Sequence, residues 1–155
     1  MAEYRTIEEE IHLPYKWALG PVFTRFFEEF KEKKIMGTKC PKCQRVLIPA
    51  RRFCPRCFED TKEWVQVSDE GTIRTWSLIN FEYSGQPKKP PYVQALIDLD
   101  GADTALAHFI SGIDLSDLEK VPEKVKIGMR VKAKWKENRE GNIFDIECFE
   151  PKERL

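Results

Sequence analysis

Two pairs of cysteines constrain the fold of this chain more than any other feature. Each pair follows the pattern Cys-Pro-X-Cys, with Cys40 and Cys43 in the first pair and Cys54 and Cys57 in the second. A CxxC turn can direct two thiolates at one ion, and the ten-residue spacer is long enough to place the second turn opposite the first. The spacing therefore predicts a closed tetrahedral site of four sulfur ligands, as in a zinc ribbon.

A metal held by four thiolates has no open coordination position, so we expect it to be structural rather than catalytic. Zinc is the expected ion, and iron in a rubredoxin-like site is the alternative because it accepts the same ligand geometry. Two disulfides are less compatible with the pattern, since a bridge within a CxxC pair is strained and we expect no export signal in the polar N-terminal residues. Free thiols, including the unpaired Cys148, favour a reducing cytoplasm.

The charge distribution limits the classes of partner. Lysine plus arginine and aspartate plus glutamate both number 26, so the net charge is zero, whereas nucleic-acid-binding domains are usually clearly basic. No apolar run approaches the roughly 18 residues of a membrane span. Residues 31–56 nevertheless contain nine basic residues and one acid, Glu32. This segment either balances the thiolate charge or binds a phosphorylated ligand or an acidic protein surface.

The N-terminal part supplies an aromatic arm and an amphipathic helix. Tyr15 and Trp17 lie in a proline-interrupted apolar stretch that a small domain would struggle to bury. Gly20-Pro21 predicts a helix start and Gly37 its end. Four phenylalanines recur at i, i+3, i+4 and i+7 of that helix: Phe23, Phe26, Phe27 and Phe30. The ribbon is too small to cover them, so we expect the arm and this stripe to contact a partner protein.

The rest of the chain has the pattern of a small β-barrel. The predicted strands are residues 71–83, 92–99, 104–110, 131–135 and 143–149, with a hairpin turn at residues 100–103 and a helical turn at residues 115–120. Five strands, a long first one and an irregular excursion before the fourth predict an OB-type Greek-key barrel. The chain is thus expected to be mainly β, with three parts: an arm and helix (1–38), a zinc ribbon (39–60) and an OB-fold (61–155).

No set of catalytic residues is evident from the sequence. Of the two histidines, His12 and His108, the second lies in a predicted strand, where a structural histidine is expected more often than a general base. Cys148 alternates with Phe144 and Ile146, which predicts a buried thiol, although a pair with His108 stays open. Phosphate-binding glycine loops and nucleophile-elbow patterns do not occur. We therefore predict no catalytic residue in this chain.

The order of these modules resembles the DUF35 family, whose members join a rubredoxin-like zinc ribbon to an OB-fold. The resemblance covers about residues 17–151. It rests on the Phe-rich helix, the CxxC–x10–CxxC ribbon, and Pro49, Arg51, Glu63-Trp64, Gly71-Thr72, Pro91-Tyr92 and residues 127–131. The chain departs from the family pattern at Gln44, at Ala50 and in an inserted stretch near residues 119–126, none of which supplies a metal ligand.

The resemblance implies a function that composition could not give. Members of the family are usually small non-catalytic subunits that dock on thiolase-type dimers and help to bind or position the CoA part of an acyl-CoA. For this chain it implies a hetero-oligomer with a thiolase-like large subunit. It also implies benzoylsuccinyl-CoA, the thiolase substrate of anaerobic toluene degradation, as a specific candidate.

Charge and aromatic character indicate candidate CoA contacts within that implied function. Arg51 and Arg52 are expected to pair with phosphates, Phe53 to stack on a base, and Lys88 and Lys89 in a flexible loop to join them. Three rival functions remain open at this point: a nucleic-acid-binding zinc-ribbon/OB protein, a stand-alone acyl-CoA enzyme, and a rubredoxin-like electron carrier.

Overall fold

The computed structural model describes residues 5–7, 9 and 14–152, which form two α-helices, a three-stranded ribbon sheet and a five-stranded barrel. The helices are α1 (Gly20–Glu28) and α2 (Val121–Lys124). The ribbon strands are β1 (Ile35–Lys39), β2 (Val46–Leu47) and β3 (Glu63–Val67). The barrel strands are β4 (Glu70–Ile79), β5 (Tyr92–Leu99), β6 (Leu106–Ile110), β7 (Arg130–Trp135) and β8 (Ile146–Pro151). No helix in the described ranges is long and apolar enough to cross a bilayer.

The N-terminal helix begins where the sequence predicted and ends earlier. α1 starts at Gly20 with proline in its first turn, and a 3-10 turn at Glu29–Glu32 extends it. Lys33 then adopts a left-handed φ of 56° and ends the helix, as glycine often does at this position. Gly37 instead lies inside β1, where a Cβ atom would stand 2.7 Å from Cγ1 of Val46. The glycine therefore permits close strand packing and does not end the helix.

The phenylalanine stripe packs mainly against the chain itself. Phe26 and Phe30 are fully buried, and Phe30 meets Trp135 of β7 edge to face at 5.6 Å between ring centroids. Phe23 and Phe27 are half-buried. This differs from the expectation that a partner would have to cover all four rings, because the barrel, distant in sequence, supplies the cover. In the isolated chain Phe26 and Phe30 are therefore not available to a partner.

The ribbon and the barrel share one hydrophobic core. β3 pairs antiparallel with β1, from Ile35 opposite Val67 to Lys39 opposite Glu63, so this strand belongs to the ribbon sheet. On the other side, the N–H of Val46 donates to a carboxylate oxygen of Asp103 at 2.8 Å, in the turn between β5 and β6. These contacts set the ribbon firmly against the barrel.

The barrel has the predicted five strands, in the closed order β4-β5-β6-β8-β7. β6 and β8 run parallel, and the other pairs are antiparallel. Gly71 is required at the start of β4, since a Cβ there would overlap the carbonyl oxygen of Asp98. The last strand starts three residues later than predicted, because Asn142 caps a 3-10 turn at Ile143–Asp145 through a 2.8 Å bond from the N–H of Phe144.

A four-cysteine metal site and the adjoining groove

The four predicted cysteine ligands converge on one point. The Sγ atoms of Cys40, Cys43, Cys54 and Cys57 all lie within 4.8 Å of one another, and those of Cys43 and Cys54 are 3.8 Å apart. Tetrahedral coordination with metal–sulfur bonds of about 2.3 Å would place the sulfurs about 3.8 Å apart. The four thiols therefore form a closed site for one metal ion, with no position left for a substrate.

The two metal-binding turns have the same backbone structure. The N–H of Gln44 donates to the carbonyl of Cys40 at 2.9 Å, and the N–H of Phe58 donates to that of Cys54 at 2.8 Å. Gln44 and Phe58, each directly after the second cysteine of its pair, adopt left-handed φ values of 61° and 57°. Glycine adopts this conformation most easily, so the Gln44 departure from the family pattern keeps the turn at some strain.

The surroundings of the metal-site thiols shift the pKa of Cys54 and the pKa of Cys57 in opposite directions. Burial raises the pKa of Cys54, but N–H groups of Arg56 and Cys57 and the thiols of Cys40 and Cys43 outweigh it and lower the pKa to about 7. Burial and the neighbouring thiols raise the pKa of Cys57 to about 12. Because a bound metal needs all four groups as thiolates, metal binding releases protons and weakens as the pH falls.

A groove of about 640 Å³ lies beside the metal site, between the start of α1 and the chain segment that precedes the second metal-binding turn. Its walls are residues 19–23 and residues 49–53. Arg51, Arg52 and Phe53 thus lie together on one wall, while Leu19, Pro21, Val22 and Phe23 make the opposite wall mainly apolar. The arrangement combines two cations and an aromatic ring with an apolar surface.

Two buried threonines hold the arginine-bearing segment in place. The hydroxyl of Thr38 accepts from the N–H of Arg51 and donates to its carbonyl, both at 2.9 Å. The hydroxyl of Thr61 donates to the same carbonyl. The side chains of Arg51 and Arg52 are exposed, and neither forms an ion pair among the described residues. Sequence reasoning missed both threonines, since a buried hydroxyl in this role has no distinctive motif.

Comparisons with known proteins agree with this architecture. Two family models match: the ChsH2 rubredoxin-like zinc ribbon domain at residues 27–63 and the ChsH2 C-terminal OB-fold domain at residues 64–136. A DUF35 domain-containing scaffold protein of Pyrococcus furiosus is 33% identical over 118 residues, covering 76% of this chain and 80% of that protein. The chain belongs to the DUF35 family.

Two further relatives of this DUF35 protein carry names that mention enzymes, and a third is described as a protein of unknown function. A probable enoyl-CoA hydratase alpha subunit of Thermomonospora curvata is 30% identical over 113 residues, which are 72% of this chain and 32% of that protein. The solved Ltp2-ChsH2(DUF35) aldolase superposes with a TM-score of 0.58 at 26% identity, covering 82% of this chain and 91% of that one. A solved DUF35 protein of unknown function from Sulfolobus solfataricus superposes with a TM-score of 0.57 at 30% identity, covering 74% of this chain and 78% of that one.

The two candidate lysines of this DUF35 protein lie apart from the groove. Lys88 and Lys89 are in the loop between β4 and β5, and the Nζ atom of Lys88 lies 5.7 Å from the ring centroid of Phe109 on the barrel. None of the residues that line the groove comes from this loop. The structure therefore does not bring these lysines together with Arg51 and Arg52.

His108 and Cys148 have the environments of structural residues. His108 is 4% exposed, and its Nε2 atom donates to the carbonyl of Ile143 at 3.1 Å. Burial lowers the pKa of His108, so the ring is held neutral. Cys148 is buried in β8, and burial raises the pKa of its thiol. Within residues 14–152 no hydrogen bond joins the two side chains, and His12 lies outside the described residues.

The aromatic arm is exposed on the surface of the chain. Tyr15 is 81% exposed and Trp17 is 67% exposed, and both precede Leu19 at the edge of the groove. Unlike Phe26 and Phe30, these two side chains are free to meet a partner.

Proposed function

We propose that this DUF35 protein is a non-catalytic accessory subunit of a thiolase-superfamily complex that helps to bind the CoA part of an acyl-CoA. The observation that carries the proposal is the groove, in which Arg51 and Arg52 stand beside the exposed ring of Phe53. Relatives named as scaffold proteins, as an enoyl-CoA hydratase subunit and as part of an aldolase support assembly with a partner enzyme.

The chemistry of the groove suits the charged end of CoA. CoA carries a 3′-phosphate, a pyrophosphate and an adenine ring. Guanidinium groups bind phosphate oxygens in a bidentate manner, and an exposed phenylalanine offers a surface for stacking. The volume of about 640 Å³ falls within the usual range of small-molecule sites. Because Thr38 and Thr61 hold the backbone of Arg51, this wall needs little ordering when a ligand binds.

In this proposal the bond-breaking groups belong to the partner. His108 is only 4% exposed, so its ring is shielded from a substrate, and burial raises the pKa of Cys148, which disfavours the nucleophilic thiolate. Neither group is therefore placed to act as base or nucleophile. A thiolase-like large subunit would supply both groups. Resemblance to the family points to benzoylsuccinyl-CoA as the substrate of the assembled enzyme.

We assign a zinc ion to the four-cysteine site, with iron as the alternative. A closed four-sulfur site holds the ribbon together, which in turn fixes the wall containing Arg51. The ligand set is stable only where thiols stay reduced, which supports a cytoplasmic location. Elemental analysis and the colour of the purified protein distinguish the two metals, since an iron site of this type is red.

Co-purification of the untagged protein, with identification of its partner by mass spectrometry, tests the assembly. Kinetics of the complex then test the groove. Arg51→Ala or Arg52→Ala should raise the KM for the CoA ester roughly ten- to hundred-fold, as expected for one lost charge-assisted phosphate contact, and change kcat less. Lys126→Ala, which removes an exposed charge that does not line the groove, is the control.

Two results would contradict the proposal. One is a large loss of kcat in His108→Ala or Cys148→Ala while assembly and substrate affinity are preserved, which would make this a catalytic subunit. The other is tight, salt-dependent binding of an oligonucleotide by a chain that recovers no enzyme partner, which would favour the nucleic-acid-binding alternative.

A further inference from the structure

The tip of the second metal-binding turn presents an aromatic side chain to solvent. Phe58 is 82% exposed, more than any other large apolar side chain in the described part of the chain. Its backbone has a left-handed φ of 57°, a conformation that is unfavourable for a residue with a Cβ atom by about 1 kcal/mol or more. Phenylalanine is therefore unfavourable at this position for two local reasons: its backbone is in a left-handed conformation, and its apolar ring is exposed to water.

The first turn provides a matched comparison. Gln44 occupies the equivalent position with φ of 61°, and its side-chain amide donates to the carbonyl of Pro41 at 2.7 Å. That bond gives the side chain a role inside its own turn. Phe58 has no such compensation, and none of the aromatic contacts between described residues includes it. The ring thus has no evident function within the chain.

The turn holds Phe58 rigidly. Its N–H donates to the carbonyl of Cys54 at 2.8 Å, the N–H of Cys54 donates to the carbonyl of Glu59 at 2.9 Å, and Phe58 directly follows the ligand Cys57. An aromatic residue on a rigid turn loses little conformational entropy on binding. Such residues commonly dominate the binding energy of protein interfaces.

The charges around Phe58 indicate what it meets. Arg56 is exposed on the same turn and forms no ion pair among residues 14–152, whereas Lys42 is paired with Glu59 at 4.0 Å. The carboxylates of Glu59 and Asp60 directly follow the ring and are exposed. With Lys42 paired to Glu59, the charges around the turn are balanced, so they offer little attraction to a nucleic acid or an anionic membrane, while the guanidinium of Arg56 favours a single carboxylate. The neighbourhood fits a protein surface with an apolar pocket and one carboxylate at its rim.

We propose that Phe58 inserts into an apolar pocket on the partner enzyme subunit, with Arg56 facing a carboxylate at the pocket rim. The second metal-binding turn is then a docking contact, and the metal has a second role in holding the turn that presents the ring. This inference rests on the proposed function only in requiring a partner enzyme subunit.

Two glycine substitutions test the docking contact. The probe is the large subunit that co-purifies with the untagged chain, isolated and titrated against wild type, Phe58→Gly and Gln44→Gly. Both variants remove left-handed strain, so each should retain its metal. Phe58→Gly should unfold at the same or a higher temperature than wild type, whereas Gln44→Gly also loses the bond to the carbonyl of Pro41. Only Phe58→Gly should weaken the Kd for the large subunit, by at least about tenfold. Arg56→Ala should slow association and reduce its salt dependence.

The outcomes separate the docking inference from the proposed function. Unchanged affinity of Phe58→Gly, with wild-type binding intact and metal retained, overturns the docking contact alone. Equal weakening by Gln44→Gly overturns it as well, since the effect would then come from the turns in general. If wild type binds no enzyme subunit, the proposed function fails together with this inference. If Phe58 is instead required for binding to anionic vesicles or to an oligonucleotide, the inference of a protein pocket is overturned, because the ring then contacts a different kind of partner.

Discussion

Mutation of Phe30 tests whether this side chain belongs to the chain's own hydrophobic core or to a surface that contacts a partner. The sequence pattern grouped this residue with Phe23, Phe26 and Phe27 as a surface for a partner, whereas the structure buries it completely. Its ring lies 4.9 Å from that of Phe26 and 5.6 Å from that of Trp135. Phe30→Ala should therefore destabilise the isolated chain, independently of any partner.

The expected magnitude follows from the burial. Replacing a fully buried phenylalanine by alanine typically lowers the free energy of unfolding by about 3–5 kcal/mol, which includes the lost edge-to-face contacts. For a chain of 155 residues, each kcal/mol lowers the melting temperature by about 2–4 °C. Phe30→Ala should thus melt about 6–20 °C below wild type. Phe23→Ala, on the same helix but half-buried, should lose roughly half as much free energy.

Urea and thermal unfolding of the metal-loaded chain, followed by tryptophan fluorescence, measure this effect, because Trp135 contacts Phe30 directly. Trp17→Ala should leave the unfolding transition in place and weaken assembly with the large subunit, since Trp17 is exposed. The reasoning is refuted if Phe30→Ala lowers the free energy of unfolding by less than about 1 kcal/mol yet loses the partner. That result would place Phe30 at the interface, as the sequence pattern suggested.

Three further outcomes are expected. Cys54→Ser should lose stoichiometric metal and hydrogen-exchange protection in β1 and β2 while the barrel stays folded, as measured by elemental analysis and exchange mass spectrometry; a folded ribbon without metal would contradict the site. Burial lowers the pKa of His108, so the folded state resists protonation of this ring and the free energy of unfolding should fall as the pH drops below about 6.5. His108→Gln should flatten that part of the stability–pH curve. An unchanged curve would exclude His108 as the source of the pH dependence. Lys88→Ala and Lys89→Ala should raise the KM for the CoA ester less than Arg51→Ala does, because their loop does not line the groove; an equal effect would mean that the loop closes over the ligand.

The local parts of this structure could be predicted from the sequence. The CxxC turns, the helix start at Gly20-Pro21 and the alternation in β7 each depend on residues that are close along the chain, so their patterns are visible without the fold. The five-stranded barrel and the metal site followed from those local signals together with the spacing between them. Arg51, Arg52 and Phe53 could be grouped because they are consecutive.

Contacts between distant segments could not be predicted in the same way. The burial of Phe30 depends on Trp135, and the wall of the groove depends on residues 19–23 meeting residues 49–53. The separation of Lys88 from the arginines is likewise a result of how the barrel sits against the ribbon. Periodicity shows that a face is apolar, but whether that face meets its own chain or a partner depends on long-range packing. The sequence alone therefore determined the metal ligands and the order of the modules, and only the tertiary structure decided which aromatic side chains remain free for a partner.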